Sequence, residues 1–159
     1  MTQEPLACKK QVRYPAPRTG MSLNSIKIEI HERREELPPC SDRRDIISLM
    51  AHELADIQYP KQAHDLEISA LERENVESTY VGRGLAIPHA RVEGLQSAAV
   101  YIARREQGLA WAKEVADTVI LLAVPEEQPD VYLHLLSKLM RWRMKGLSMA
   151  QLREIVTQD

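Results

Sequence analysis

The run Thr118-Val119-Ile120-Leu121-Leu122-Ala123-Val124 is apolar at nearly every position. A strand with one wet face alternates apolar and polar residues, so a run without alternation reads as a central strand covered on both faces. Pro125 ends it, since proline brings no N–H to a ladder. The rest of the chain must supply layers above and below this strand, which points to an α/β layered fold.

The periodicities elsewhere supply those layers. Ile26, Ile28 and Ile30 alternate with Lys27, Glu29 and His31, a half-buried strand with His31 on its polar side. Ser97–Ala103 and Thr79-Tyr80-Val81 read as two more strands. A charged, proline-containing connection from Arg33 to Cys40 leads to Ser41 or Asp42, either of which can cap a helix running to about Ile57. Ile46, Met50, Leu54 and Ile57 form its inward stripe, and His52 lies off it. Tyr59-Pro60 breaks this helix. A second one, from about Lys61 to Arg73, turns Ala63, Leu66 and Ala70 inward and leaves His64 on the surface. Asp130 to about Met144 forms a long helix with Leu135, Leu139 and Trp142 toward the core, flanked by Leu136 and Met140, and Gly146 stops it. Ser148 and Gln151 then make a capping box, stapled by Leu147 and Leu152, for a last helix.

With 159 residues, 44% hydrophobic and 28% charged, the chain suits one domain able to bury a core without metal or disulfides. A formal net charge of −2 argues against broad nucleic-acid binding. Two basic clusters, one at Lys9, Lys10, Arg13 and Arg18 and the other at Lys138, Arg141, Arg143 and Lys145, read as a solvated tail and a solvated helix face, with a rim for an acidic partner as the alternative. Cys8 and Cys40 have no metal-ligand or redox spacing and fit a reduced cytosol. No apolar run approaches the roughly 20 residues needed to span a bilayer, and no apolar leader segment precedes Leu6-Ala7-Cys8, so membrane insertion is not expected and the cytoplasm is. Residues 1–24, with three prolines and no period, read as a flexible arm before a domain at 25–159, or as sequence preceding a native start at Met21.

The chemistry concentrates in Gly82-Arg83-Gly84-Leu85-Ala86-Ile87-Pro88-His89-Ala90-Arg91. The glycines permit tight turns, and Pro88 stiffens the backbone before His89, so a histidine is presented on a rigid loop. A lone histidine can be a nucleophile, a base, a metal ligand or simply structural.

Preceded by LEREN, the string STYVGRGLAIPHAR resembles the fructose- and mannitol-class enzyme IIA domain of the bacterial phosphoenolpyruvate-dependent phosphotransferase system, including its nitrogen-regulatory branch. The matching residues are Arg73, Glu74, Ser78, Thr79, Gly82, Gly84, Leu85, Ala86, Ile87, Pro88 and His89. The resemblance runs more loosely from about Ile26 to the C-terminus. It implies a single-domain mixed β-sheet with helices on both faces. It also implies that His89 takes a phosphoryl group from the histidine-phosphocarrier protein and passes it to an enzyme IIB or holds it as a signal for a regulated target.

That chemistry needs a neutral imidazole to attack phosphorus and donors around the three equatorial oxygens. Arg73, at the family's arginine offset sixteen positions before His89, offers a guanidinium fork, although a cation ending a helix also satisfies the macrodipole. Thr79 or Ser78 offers a hydroxyl. No cofactor or metal is required. One departure stands out: where the family commonly has a second active-site histidine, this chain has Tyr132, followed by Leu133, with His134 two residues on. Tyrosine can donate a hydrogen bond but cannot become a cation near neutral pH. The expected role is a phosphoryl carrier, of the regulatory type since no fused IIB or membrane segment is present, with sugar uptake or a non-transferring module of the same fold as alternatives. A histidine hydrolase or metal site has no supporting constellation.

Overall fold

A computed structural model describes residues 26–157; the amino-terminal arm, Met21 and Cys8 lie outside these. In chain order the elements are β1 (Lys27–Glu32), α1 (Arg43–Gln58), α2 (Ala63–Val76), β2 (Tyr80–Gly82), β3 (Leu85–Ala86), β4 (His89–Val92), β5 (Ser97–Trp111), β6 (Glu114–Pro125), α3 (Pro129–Lys145) and α4 (Met149–Thr157).

The apolar run forms most of β6, a central strand of a six-stranded mixed sheet ordered β1-β5-β6-β3-β2, with β4 also paired to β6. β5 is antiparallel to β6, whereas β3 and β4 follow one another along its other side, both parallel to it. Alternation along β6 divides the core. Val119, Leu121 and Ala123 meet Met50, Leu54, Leu66 and Ala70 of α1 and α2. Ile120, Leu122 and Val124 meet Leu135, Leu139, Trp142 and Leu152 of α3 and α4. Each of these large β6 side chains is fully buried. Truncating one to alanine removes about 2–5 kcal/mol.

The helix ends follow the sequence. Asp42 accepts a hydrogen bond from the Arg44 N–H, and Ser148 and Gln151 cap α4 reciprocally at 2.8 and 3.2 Å. Gly146 closes α3 in the left-handed conformation.

Four expectations change. Ile57 is 52% exposed. The last turn of α1 instead turns Gln58 inward, where its amide donates to Ser97 Oγ at 2.8 Å and to the Ala98 carbonyl at 3.3 Å. α2 runs on to Val76, which puts Arg73 in its last turn. The strand that begins at Ser97 continues past Ala103 to Trp111, with an irregularity between Arg104 and Leu109. The late basic cluster is only partly solvated. Lys138 is buried and donates to the Ile155 carbonyl of α4, while Arg143 holds Asp117 at 2.8 Å, Thr118 Oγ1 at 3.0 Å and the Arg83 carbonyl at 2.8 Å.

The Arg143 contacts clamp the turn that enters the candidate site. Gly82, Arg83 and Gly84 all have positive φ, at 104°, 55° and 77°. At Gly84 a side chain is excluded twice over, since a Cβ would lie 2.6 Å from Asp117 Oδ2.

Candidate functional site

His89 sits at the first position of β4, not in a loop, because Pro88 and the residues after it pair with β6. The Leu122 N–H donates to the Pro88 carbonyl at 3.0 Å, and the Ile87 N–H to the Thr79 carbonyl at 3.0 Å. Stiff backbone therefore holds the histidine on both sides. Ala90 and Val92 point into the core beneath α1 and α2, so His89 and Arg91 share the other side of the strand.

That side floors a cleft of about 580 Å³ between the last turns of α2 and the first turn of α3, lined by Arg73, Val76, His89, Arg91, Tyr132 and Leu133 among others. His89 is 7% exposed and its ring stacks on that of Tyr132, with centroids 4.1 Å apart and planes 28° apart. Nδ1 is buried without a hydrogen-bond partner, which leaves Nε2 as the nitrogen available to the cleft. Burial pulls the His89 pKa down to about 4, and the nearby charges of Arg73 and Arg91 act in the same direction against the Ile87 carbonyl. The ring is neutral at pH 7. Burial likewise raises the Tyr132 phenol, opposed by the same two arginines, so it too stays uncharged.

Arg73 serves both roles open to it from the sequence. Its Nη1 donates to the Glu77 carbonyl at 2.7 Å, closing α2, and its side chain lines the cleft. Thr79 faces elsewhere. Its hydroxyl and backbone N–H both donate to the carboxylate of Glu74, and neither Thr79 nor Ser78 lines the cleft. The Ser78 hydroxyl accepts from the Tyr80 N–H at 3.2 Å. His134 is not among the lining residues either.

Two residues gain importance that the sequence did not assign them. Arg91 lines the cleft, and strand alternation from His89 is the signal that would have found it. Glu74, 1% exposed, accepts from Arg43 Nε at 2.8 Å, Thr79 N at 3.0 Å and Trp111 Nε1 at 3.1 Å besides the Thr79 hydroxyl. It ties α1, the end of α2, the entry to β2 and the end of β5 into one unit directly after Arg73. Among the described residues, no cluster of histidine, cysteine or carboxylate side chains has the geometry to hold a metal ion. No described helix is long and apolar enough to cross a membrane.

The layered α/β domain thus presents one buried, neutral histidine beside two arginines in an open cleft. The chain belongs to the family described as the phosphoenolpyruvate-dependent sugar phosphotransferase system EIIA 2 domain, whose model matches residues 33–159. It is 35% identical over 75 residues to the transcriptional regulator ManR of Bacillus subtilis, covering 47% of this chain and 12% of that protein. It is 28% identical over 142 residues to the fructose-specific EIIABC component of the same organism, covering 87% of this chain and 21% of that protein. The chain thus spans a small fraction of the length of these relatives. Among solved structures it resembles the nitrogen regulatory protein IIA-Ntr of Neisseria meningitidis, with a TM-score of 0.54 at 19% identity over 86% of this chain and 91% of that one, a likeness of fold.

Proposed function

We propose that this chain carries a phosphoryl group on Nε2 of His89. The observation that carries the reading is the state of that ring: neutral at pH 7, with Nδ1 buried and Nε2 left to a cleft that also contains Arg73. The lone pair of Nε2 forms the new N–P bond. The P–N bond of a donor phosphohistidine breaks with its electron pair returning to the donor nitrogen, which takes up a proton as the His89 ring gives one up. The cleft is far larger than a phosphoryl group, which leaves room for a donor ring carried by a second protein. Val76 and Leu133, 81% and 62% exposed on its two walls, offer apolar contact area for a transient docking of this kind.

The histidine-phosphocarrier protein is the donor in this reading, and an enzyme IIB or a regulated target protein the acceptor. Tyr132 favours regulation over sugar uptake, because a neutral phenol stacked on the nucleophile supplies no titrating group to speed onward transfer. The same stack supports a second reading, a module that binds partners without transfer. Intact-mass spectrometry after incubation with phosphoenolpyruvate, enzyme I and the histidine-phosphocarrier protein separates the two. One phosphate on wild type, absent from His89→Ala, supports the carrier. No adduct on wild type together with partner binding that survives His89→Ala supports the module.

A further inference from the structure

We propose that Arg91 is the second cation of the phosphoryl site, gripping the group on His89 together with Arg73. This rests on the carrier reading above and adds to it the residue that balances the charge. A phosphoryl group on nitrogen carries close to two negative charges at neutral pH, on the order of the −1.5 to −2 of other phosphorylated side chains. Arg73 supplies one positive charge. Tyr132, stacked on the His89 ring, supplies none.

Three observations select Arg91. It follows His89 by two residues on the same strand, so both side chains leave β4 on one side and line one cleft. Its backbone is fixed against α2, since the Arg91 N–H donates to Ser69 Oγ at 2.9 Å and that hydroxyl donates to the Arg91 carbonyl at 3.1 Å. Its guanidinium is uncommitted. Arg33, Arg43, Arg104 and Arg143 each hold a carboxylate within 2.9 Å. Arg91 and Arg73 form no ion pair among the described residues, as Arg34, Arg44 and Arg141 also do not, but they are the two arginines that line the cleft, whose walls also carry Glu72, Glu126 and Asp130. Two guanidinium groups beside one nucleophile can together grip an anionic group on it. Arg91 changes no bond in the transfer; it stabilises charge on the equatorial oxygens as the N–P bond forms.

The test uses potassium phosphoramidate, a small donor that needs no partner protein, and follows the phosphohistidine adduct by intact mass in wild type, Arg91→Gln, Arg91→Lys and His89→Ala. Because Ser69 holds only the Arg91 backbone, Arg91→Gln keeps those bonds and should melt with wild type. The expected result is an adduct on wild type, none on His89→Ala, about tenfold slower formation in Arg91→Gln, and most of the rate regained in Arg91→Lys. Formation at the wild-type rate in Arg91→Gln, or no recovery in Arg91→Lys, overturns the role of Arg91 while leaving the carrier reading intact. Absence of an adduct from wild type overturns the carrier reading and this inference with it.

Discussion

The imidazole of His89 and the phenol of Tyr132 lie nearly parallel with their centroids 4.1 Å apart. The contact hides one face of the nucleophile and helps exclude the water that would otherwise stabilise its protonated form. Tyr132→Ala should therefore raise the His89 pKa from about 4 toward its ordinary value, read as the pH midpoint of the ring C–H signals by NMR. Tyr132→Phe keeps the ring and should leave the midpoint nearly in place. If both variants titrate alike, the stack has no part in keeping His89 neutral.

Stability should also report on this ring. His89 titrates near 4 in the fold and near 6.5 when unfolded, so folding favours the neutral form. Above about pH 6.5 both states are neutral and the group contributes no slope. Between 6.5 and 4 the unfolded chain takes up a proton that the folded one refuses, and stability falls as pH falls. The full shift corresponds to about 3 kcal/mol, which contact with the cleft reduces to about 1–2 kcal/mol. Arg73 and Glu74 from α2 and Arg91 from β4 also act on this ring, and Glu72, Glu126 and Asp130 line the same cleft, so His89→Gln is the proper reference. Urea midpoints at pH 7 and pH 4.5 should show wild type losing that much more than the variant. Equal losses would count against a neutral buried ring.

Much of this architecture is written in local pattern. The unbroken apolar run of β6 requires two covering layers, and the Ser148–Gln151 pair marks the start of α4 through contacts local to the chain. What stayed hidden depends on partners far along the chain. Gly82–Arg91 has the composition of a loop, yet pairing with β6 makes strands of its second half, and only that pairing puts Arg91 beside His89. Lys138 looks like a solvated charge on its own helix; its stem crosses to a carbonyl seventeen residues on. Glu74 belongs to the recognisable motif, but its task is set by Arg43 and by Trp111, thirty-one and thirty-seven residues away.

Glu74 carries the next expectation. Its carboxylate satisfies four donors with almost no solvent contact, so removing it strands the Arg43 guanidinium and the Trp111 indole together. Loss of one partner of a buried pair costs about 3–5 kcal/mol. Arg43 retains some exposure, which places Glu74→Ala near 3 kcal/mol in urea denaturation followed by tryptophan fluorescence. Because the same carboxylate holds Thr79 beside the backbone that braces Ile87, the variant should also slow adduct formation on His89 below its melting temperature. A destabilised variant with wild-type adduct kinetics would restrict Glu74 to holding the fold.

The two glycines of the turn before His89 make a controlled pair. Both have positive φ, a conformation that costs a residue with a Cβ about 1 kcal/mol. Beyond that they differ. A Cβ on Gly82 meets nothing within 4 Å, whereas one on Gly84 lands 2.6 Å from Asp117 Oδ2 and 3.4 Å from Arg143 Nη2. Asp117 cannot swing aside freely, since it is held by Arg143 at 2.8 Å and by the Thr118 hydroxyl at 2.7 Å. Gly82→Ala should then lose about 1 kcal/mol in urea, and Gly84→Ala about 2–3 kcal/mol, the excess coming from the broken clamp. Asp117→Ala removes both the clash and the clamp, so adding it to Gly84→Ala should cost far less than it does in the wild-type background. Strict additivity of the two substitutions would mean that Asp117 is not what reserves this position for glycine.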